Sequence, residues 1–209
     1  MICAVVLAAG RSTRMGVQKQ LLPFGASSVI GHVVGQLRGS TLDDVYVVLG
    51  HEAEEVAAAL SGHAVQLVLN PDYQTGMLSS VRCGLRAIPP QCDAILVALG
   101  DQPAITGSLV DQLLDLFRTA GRRIVVPTHG GRRGHPLVFS AAYAGEVLER
   151  YEEVGLRGLL QAHPEEVLEF EASTAAVLCD MDSPGDYRRE LTRFAEAGGA
   201  DPGPASALK

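Results

Sequence analysis

The feature that most constrains the fold is a set of short apolar runs that are almost free of polar residues. Strands buried on both faces of a parallel sheet have this continuous pattern, whereas half-buried strands alternate. The clearest runs occupy residues 2–7, 45–49, 65–69, 94–99 and 124–126. We therefore predict that each of these runs is a strand of one largely parallel sheet.

Amphipathic helix patterns separate the runs. Apolar residues repeat at helical spacing over 29–37, before Gly39, and again over 109–117. Three acidic residues at 52, 54 and 55 suit the first turn of another helix, where negative charge is favourable. Because strands and helices alternate, the sequence predicts right-handed βαβ units in a doubly wound, mostly parallel α/β sheet.

The pattern changes in the C-terminal third, after Pro127. Residues 128–133 are rich in Gly and Arg, and 136–139 are typical of a short strand. Residues 167–170 and 175–179 are further strand candidates. We expect a few antiparallel strands in this part of the chain.

The last helix and the domain limits can be predicted from local signals. Ser183 followed by Pro184 and Asp186 is typical of a helix N-terminus. No internal repeat or linker interrupts residues 1–196, so we expect one domain there. Residues 197–209 are small and rich in Gly and Pro, and we expect them to be disordered.

Charge and hydropathy narrow the function classes. The 17 Lys and Arg against 24 Asp and Glu give a net charge of −7, which disfavours a nucleic-acid binder. No apolar run approaches the ~20 residues of a membrane helix, and no basic segment precedes the first run. The four cysteines form no CxxC pair, so we interpret them as small apolar residues. We expect a cytoplasmic monomer.

The loop after the first strand is the first place to look for a ligand, because open α/β sheets bind ligands beyond the carboxyl ends of their strands. The dinucleotide motif GxGxxG requires a Gly where Ser12 stands. A Walker phosphate loop requires a Lys after Gly16, and Val17 is there. Both familiar phosphate loops therefore fail on spacing.

The composition of this loop still favours phosphate. Small residues let backbone N–H groups approach an anion closely, and three cations lie within nine residues of an acidic chain. The small residues are Ala8, Ala9 and Gly10, and the cations are Arg11, Arg14 and Lys19. The alternative is a solvated basic surface loop.

Carboxylates at the ends of other apolar runs indicate a metal site. Gly100 and Asp101 follow the most apolar run, and Mg²⁺ is often held by one or two carboxylates together with substrate phosphates. The alternative for Asp101 is capping of the next helix, for which Thr106 is a competitor. Asp180 and Asp182 follow a later run at alternate positions; the alternative for them is a capping turn.

Two further segments carry candidate binding groups. Residues 76–81 open a helix after the third strand, where free N–H groups and hydroxyls could contact a base or a ribose. The alternative there is N-capping by Ser79 or Ser80. Residues 130–136 combine Gly, Arg and a His, and the alternative for them is a solvated hairpin tip.

These motifs together resemble the MobA-like nucleotidyltransferases. The stretch LAAGRSTRMGVQKQLLPF over 7–24 is similar to the opening motif of that family. The stretches GMLSS over 76–80, GDQP over 100–103, RGHP over 133–136 and DMDSP over 180–184 follow in the family's order. Ala9 and Gln18 stand where the guanylyltransferase branch has Gly and Asp, which favours the molybdenum cofactor cytidylyltransferase (MocA-type) branch. Ser183 departs from the Thr of that branch.

The resemblance implies a Rossmann-like fold of the nucleotide-diphospho-sugar transferase type and a Mg²⁺-dependent transfer of CMP from CTP to the terminal phosphate of molybdopterin. It implies Arg14, Lys19 and Asp101 as catalytic residues, and Asp101 with Asp182 or Asp180 as metal ligands, Asp182 being favoured. The nucleotide-binding set is Leu7, Ala8, Ala9, Gly10, Arg11, Lys19, Gly76, Ser80 and Gly100. The acceptor-binding set is Arg133, Gly134 and His135. A molybdenum hydroxylase or its accessory protein would be a further partner.

Three alternatives stay open at this point. The nearest keeps the chemistry but uses GTP or another phosphorylated acceptor. A second is an oxidoreductase on the same scaffold, which the missing GxGxxG motif disfavours. A third is a non-catalytic cofactor carrier, which would have no need of both Asp101 and Asp182.

Overall fold

Ten strands and seven α-helices follow one another along residues 1–199, the part of the chain that the computed structural model describes. The strands are β1 (Ile2–Ala8), β2 (Pro23–Phe24), β3 (Ser27–Ser28), β4 (Asp44–Leu49), β5 (Gln66–Leu69), β6 (Ala94–Leu99), β7 (Ile124–His129), β8 (Arg132–Arg133), β9 (Leu137–Ser140) and β10 (Val167–Glu171). The helices are α1 (Val29–Arg38), α2 (Ala53–Ala59), α3 (Met77–Ala87), α4 (Gly107–Thr119), α5 (Ala144–Glu149), α6 (Arg157–Ala162) and α7 (Pro184–Glu196). Most of the tail that we expected to be disordered, residues 200–209, lies outside the described residues.

The main sheet has eight strands in the order β10-β7-β9-β6-β1-β4-β5, with β8 paired to β7. The pairs β1–β4, β1–β6, β4–β5 and β7–β10 are parallel. Strand β9 runs antiparallel between β6 and β7, and β8 is antiparallel to β7. The predicted doubly wound, mostly parallel sheet with antiparallel strands in the C-terminal third is confirmed. The short strands β2 and β3 form a separate hairpin.

The register of the central strands places their carboxyl ends side by side. Strand β1 lies between β4 and β6, and Leu7 is paired with Leu99. All six residues of β6 are buried, as expected for a strand in the middle of a sheet. The segments that follow β1 and β6 must therefore leave the sheet next to each other.

Helices cover both faces of the sheet. One face packs against apolar residues of α1, α2 and α4, such as Ile30, Val56 and Leu113. The other face packs against α3, α5 and α6 through residues such as Val81 and Leu159. Helix α7 packs separately with the β2–β3 hairpin, where Tyr187 and Phe24 are buried. No helix within residues 1–199 has both the length and the apolar character needed to cross a membrane.

Side-chain caps start three of the helices as their sequences indicate. Ser28 accepts a hydrogen bond from the Gly31 N–H, 3.2 Å away, at the start of α1. Thr106 caps α4, which removes the alternative role of Asp101 as a helix cap. Ser183 and Asp186 form a reciprocal capping box at the start of α7, with Pro184 in the first turn.

The structure shows that the strand predicted for residues 175–179 is wrong. We expected a strand, but Ala175–Leu178 form a 3₁₀ helix. The Thr174 hydroxyl accepts from the Ala176 N–H at 3.2 Å and so stabilises the turn in place of a strand partner. The run 167–170 is a strand as predicted, but β10 pairs in parallel with β7.

Candidate active site

A cavity of about 310 Å³ opens at the carboxyl ends of β1 and β6. The Gly100 N–H donates to the Leu7 carbonyl at 3.0 Å, which holds the two strand ends together. Most of the predicted site residues line this cavity: Leu7, Ala9, Gly10, Arg14, Lys19, Gly76, Ser80, Asp101, Asp180 and Asp182. Four segments that are separate in the sequence thus converge on one space.

Lys19 is the centre of a charge cluster in this cavity. Its ammonium contacts the Asp101 carboxylate and lies 3.0 Å from Asp182 Oδ1. The Arg14 guanidinium lies 2.9 Å from Asp182 Oδ2. The Met181 N–H donates to the Asp101 carbonyl at 3.3 Å, which joins the second carboxylate segment to the end of β6. Lys19 therefore joins the two carboxylates, and Arg14 adds a second cation at Asp182.

Burial makes the protonation of this cluster interdependent. Asp101 is 9% exposed, and its burial raises the pKa of its carboxyl, although the Lys19 ammonium opposes that change. Burial alone would lower the pKa of Lys19, but Asp101 and Asp182 together raise it above its usual value. The ammonium form of Lys19 is thus held in place by the two carboxylates.

The donor set fits a divalent cation. Asp101 and Asp182 direct oxygens at the same ammonium, so two hard oxygen ligands converge on one cationic position. No group of three or more His, Cys, Asp or Glu residues suited to a metal occurs within residues 1–199. A cation here would take its other ligands from water and phosphate, which is the usual arrangement for Mg²⁺. Asp180 instead accepts from the Gln102 amide at 2.8 Å.

The loop after β1 is shaped by contacts that place Lys19 over the cavity. Ser12 has a φ of +49°, and its carbonyl accepts from the Met15 N–H at 2.9 Å. The Ser12 hydroxyl accepts from the Lys19 N–H at 3.2 Å. Gln18 is buried, and its amide donates to the Gly10 carbonyl at 3.1 Å. This role of Gln18 was not predicted from the sequence, where Gln18 served only to distinguish two branches of a family.

Helix α3 presents its N-terminus to the same cavity. Its N-cap is Gly76, at a φ of +118°, and no side chain caps the helix. Backbone N–H groups of the first turn are therefore free for a ligand. The alternative role of Ser79 as N-cap does not hold, because its hydroxyl donates to the Gly76 carbonyl at 2.8 Å. Ser80 is buried and lines the cavity.

Three predicted nucleotide-binding residues do not line the cavity. Ala8 is the last residue of β1 and is fully buried in the core. A Cβ on Gly100 would lie 2.9 Å from Ile30 Cδ1 and 3.0 Å from the Leu7 carbonyl, so its small size permits the close approach of β1 and β6. Arg11 is exposed to solvent. Ala8 and Gly100 therefore shape the site through their packing and do not line it.

A second cavity, of about 430 Å³, adjoins the first. The two share lining residues, among them Leu99, Gly76 and Asp180, so they form neighbouring parts of one cleft. His135 and Arg157 lie in the second cavity. Burial lowers the pKa of His135, which favours a neutral imidazole. Arg157 at the start of α6 was not among the predicted site residues.

The predicted acceptor residues meet at a smaller space of about 210 Å³ that shares His135 and Arg157 with the second cavity. Arg133 is bound to Glu169, with its Nε 2.7 Å from Oε1. A Cβ on Gly134 would overlap the Val177 carbonyl, so only glycine fits there. The His135 N–H donates to the same carbonyl at 2.9 Å. The segment 133–135 is therefore held firmly against the 3₁₀ helix that precedes Asp180.

Two proteins of known name are similar to this chain in sequence. The molybdenum cofactor cytidylyltransferase of Escherichia coli K12 is 24% identical over 93% of this chain and 98% of its own length. The nicotine blue oxidoreductase of Paenarthrobacter nicotinovorans is 31% identical over 78% of this chain and 83% of its own.

Two solved structures are similar over nearly the whole chain. A nucleotidyl transferase from Methanothermobacter has a TM-score of 0.84 at 31% identity, covering 94% of this chain and 99% of that one. Rv0371c of Mycobacterium tuberculosis H37Rv, solved as a complex with manganese, has a TM-score of 0.76 at 31% identity, covering 90% and 96%. The family model of the MobA-like NTP transferase domain matches residues 4–167. The chain belongs to the MobA-like NTP transferase family and is a nucleotidyltransferase.

Proposed function

We propose that this enzyme uses Mg²⁺ to transfer CMP from CTP to the terminal phosphate of a molybdopterin-type acceptor. One observation carries the proposal: the cluster of Lys19, Asp101 and Asp182 stands in a cleft whose two halves meet at Asp180. Such a cleft suits two substrates that must bring phosphate groups together at one charged point. The relative from Escherichia coli, named for cytidylyl transfer to the molybdenum cofactor, supports this choice of substrates.

The transfer needs positioning and charge neutralisation more than covalent catalysis. A phosphate oxygen of the acceptor attacks the α-phosphorus of CTP, the bond to the β-phosphate oxygen breaks, and pyrophosphate leaves. A divalent cation held by Asp101 and Asp182 would supply Lewis-acid stabilisation of the phosphate charge. Lys19 and Arg14 line the same cavity and would donate hydrogen bonds to the departing pyrophosphate.

The chain divides the two substrates between the neighbouring cavities. The first cavity has the open N-terminus of α3 and the loop after β1, and we assign it to CTP. The second has the Arg157 cation and the neutral His135, and we assign it to the acceptor. Segment 133–135 would support that wall. We further propose that one domain over 1–196 acts as a cytoplasmic monomer and supplies a molybdenum hydroxylase.

The alternatives differ in what they need from the site. Use of GTP requires only a different pocket for the base. The choice between CTP and GTP is therefore tested separately from the transfer reaction. An oxidoreductase is favoured by the relative of that name, but the loop after β1 lacks the dinucleotide motif. A cofactor carrier has no need for the buried pairing of Lys19 with Asp101.

Pyrophosphate release tests the proposal directly. The protein is incubated with Mg²⁺, molybdenum cofactor and each of the four NTPs in turn, and again without cofactor. We expect release only with CTP and only when the acceptor is present. If GTP is the one nucleotide that gives release, the enzyme is a guanylyltransferase and not a cytidylyltransferase. No release with any NTP would reject nucleotidyl transfer to this acceptor.

A further inference from the structure

Asn70, directly after β5, lies at the centre of a buried hydrogen-bond network beside the first cavity. It is 3% exposed. Its side-chain amide nitrogen lies 2.9 Å from the Ser79 hydroxyl and 3.0 Å from the Ser80 hydroxyl. Its side-chain oxygen accepts from the Asp72 N–H at 3.0 Å. Both ends of the Asn70 amide are therefore satisfied inside the protein.

The Asp72 N–H fixes which way this amide points. A backbone N–H can only donate, so the atom that faces it must be the amide oxygen of Asn70. The NH₂ group then has to face the two serines, and each serine receives one of its two hydrogens. The flipped amide would place donor against donor at Asp72 and is excluded on that ground.

This orientation leaves the two serine hydroxyls with different tasks. The Ser79 hydroxyl donates a hydrogen bond to the Asp72 carbonyl at 3.0 Å or to the Gly76 carbonyl at 2.8 Å. The Ser80 hydroxyl accepts from Asn70 and donates to no protein atom in the part of the chain that the structure describes. Ser80 is 4% exposed and lines the first cavity, whereas Ser79 does not. Ser80 thus holds a buried, unused O–H donor at the wall of the nucleotide cavity.

We propose that Asn70 is a positioning residue that sets the Ser80 hydroxyl as a donor to N3 of cytosine. The inference rests on the proposed use of CTP and adds how the base is selected. Cytosine N3 is an acceptor, whereas uracil carries N3–H and guanine carries N1–H on the corresponding edge. The Ser80 O–H pairs with N3 of cytosine. The N–H of uracil or guanine could only meet the remaining lone pair of that hydroxyl, which would leave the buried Ser80 hydrogen without an acceptor.

The test compares binding of CTP, UTP and inorganic tripolyphosphate by calorimetry in Mg²⁺, because CTP and UTP differ only in the base and tripolyphosphate has none. The variant Asn70→Asp keeps the shape and the bond from the Asp72 N–H, but presents an acceptor to Ser80. The Ser80 hydroxyl would then turn its hydrogen to residue 70 and offer a lone pair to the cavity. Ser80→Ala removes the donor, and Ser79→Ala is the matched control on the other arm of the network.

We expect the wild-type protein to prefer CTP over UTP, and Asn70→Asp to reduce that preference about tenfold or more. Tripolyphosphate affinity should not change in Asn70→Asp. Ser80→Ala should also lower the preference for CTP over UTP. If Asn70→Asp does not fold, the result for Ser80→Ala tests the role of the donor by itself. Ser79→Ala should keep the wild-type ratio.

Three results would overturn the inference. An unchanged CTP-to-UTP ratio in folded Asn70→Asp, or in Ser80→Ala, would reject the role of the donor while CTP use stands. An equal loss for CTP, UTP and tripolyphosphate would show general damage instead of base selection. A wild-type protein that binds tripolyphosphate but shows no preference for CTP would reject the proposed function and this inference together.

Discussion

Replacing Lys19 by Ala should destabilise the metal-free protein through Asp101. Both side chains are 12% exposed, so the substitution leaves a buried carboxylate without its ion-pair partner. Asp182 is less affected because it is 34% exposed and keeps the Arg14 guanidinium at 2.9 Å. Loss of one partner from a buried ion pair costs about 3–5 kcal/mol, and we expect the lower end because Asp101 can take up a proton. For a chain of this size that is a fall in Tm of ~6–12 °C.

Thermal unfolding at pH 7 with a chelator measures this effect, and two further signatures identify its cause. Burial already raises the pKa of Asp101, and loss of the ammonium raises it further. The fold therefore favours the protonated carboxyl, so the difference in Tm between variant and wild type should be largest at neutral pH and shrink as the pH falls. Mg²⁺ or Mn²⁺ should raise the Tm of Lys19→Ala more than that of wild type, because no ammonium competes for the two carboxylates.

Two control variants show whether the change in Tm comes from the ion pair between Lys19 and Asp101. Lys19→Arg keeps the charge and should lose less stability. Arg11→Ala removes an exposed cation from the same loop and should leave the Tm unchanged. If Lys19→Ala unfolds within about 2 °C of wild type and responds to metal as wild type does, Lys19 is not the buried partner of Asp101 and the reasoning fails.

Three other perturbations test the charge cluster, the loop after β1 and the half-buried His32 of α1. Asp101→Ala should lower the rate of pyrophosphate release by about 10²-fold or more in a folded protein, as circular dichroism would verify; near-normal release would end the metal assignment. Ala9→Gly should relax the preference for CTP over GTP by about tenfold in a direct competition, and an unchanged ratio would exclude Ala9 from base selection. Burial lowers the pKa of His32, so its stabilising contribution, present above its ordinary pKa, is lost as the pH falls. His32→Phe should therefore lose less stability than wild type between pH 7 and pH 5 in urea unfolding; equal losses would place the acid sensitivity elsewhere.

The elements that the sequence predicted well are those governed by local signals. Continuous apolar runs identified the parallel strands. Burial on both faces explains the runs at β1, β4 and β6, whereas β5 lies at the sheet edge with Leu69 62% exposed. Ser183 with Asp186 identified the start of α7 because a cap acts within one turn. The run 175–179 was wrongly predicted as a strand because a short apolar segment suits a buried turn equally well. The parallel direction of β10 depends on its neighbour β7, which local sequence does not report.

The same limit applies to the candidate site. Residues directly after strands could be predicted, because the ends of parallel strands converge on one edge of the sheet. Asn70 also follows a strand, but its role and that of Gln18 depend on partners from other segments, so neither role could be predicted. Within its own segment, Asn70 before Pro71 and Asp72 is typical of an ordinary turn. Arg157 and segment 133–135 line one space although they are separate in the sequence, which local patterns do not report. Buried polar residues near a predicted strand end would have been the useful signal.

A cytidylyltransferase moves the nucleotide, and not a hydride or the intact cofactor. The direct measurement follows label from CTP carrying ³²P at either the α or the γ position, with Mg²⁺ and molybdenum cofactor. We expect α label in the acceptor and γ label in pyrophosphate, in equal amounts, and we expect both to fall together in Asp101→Ala. Label that stays in CTP, or γ label that reaches the acceptor, would contradict it.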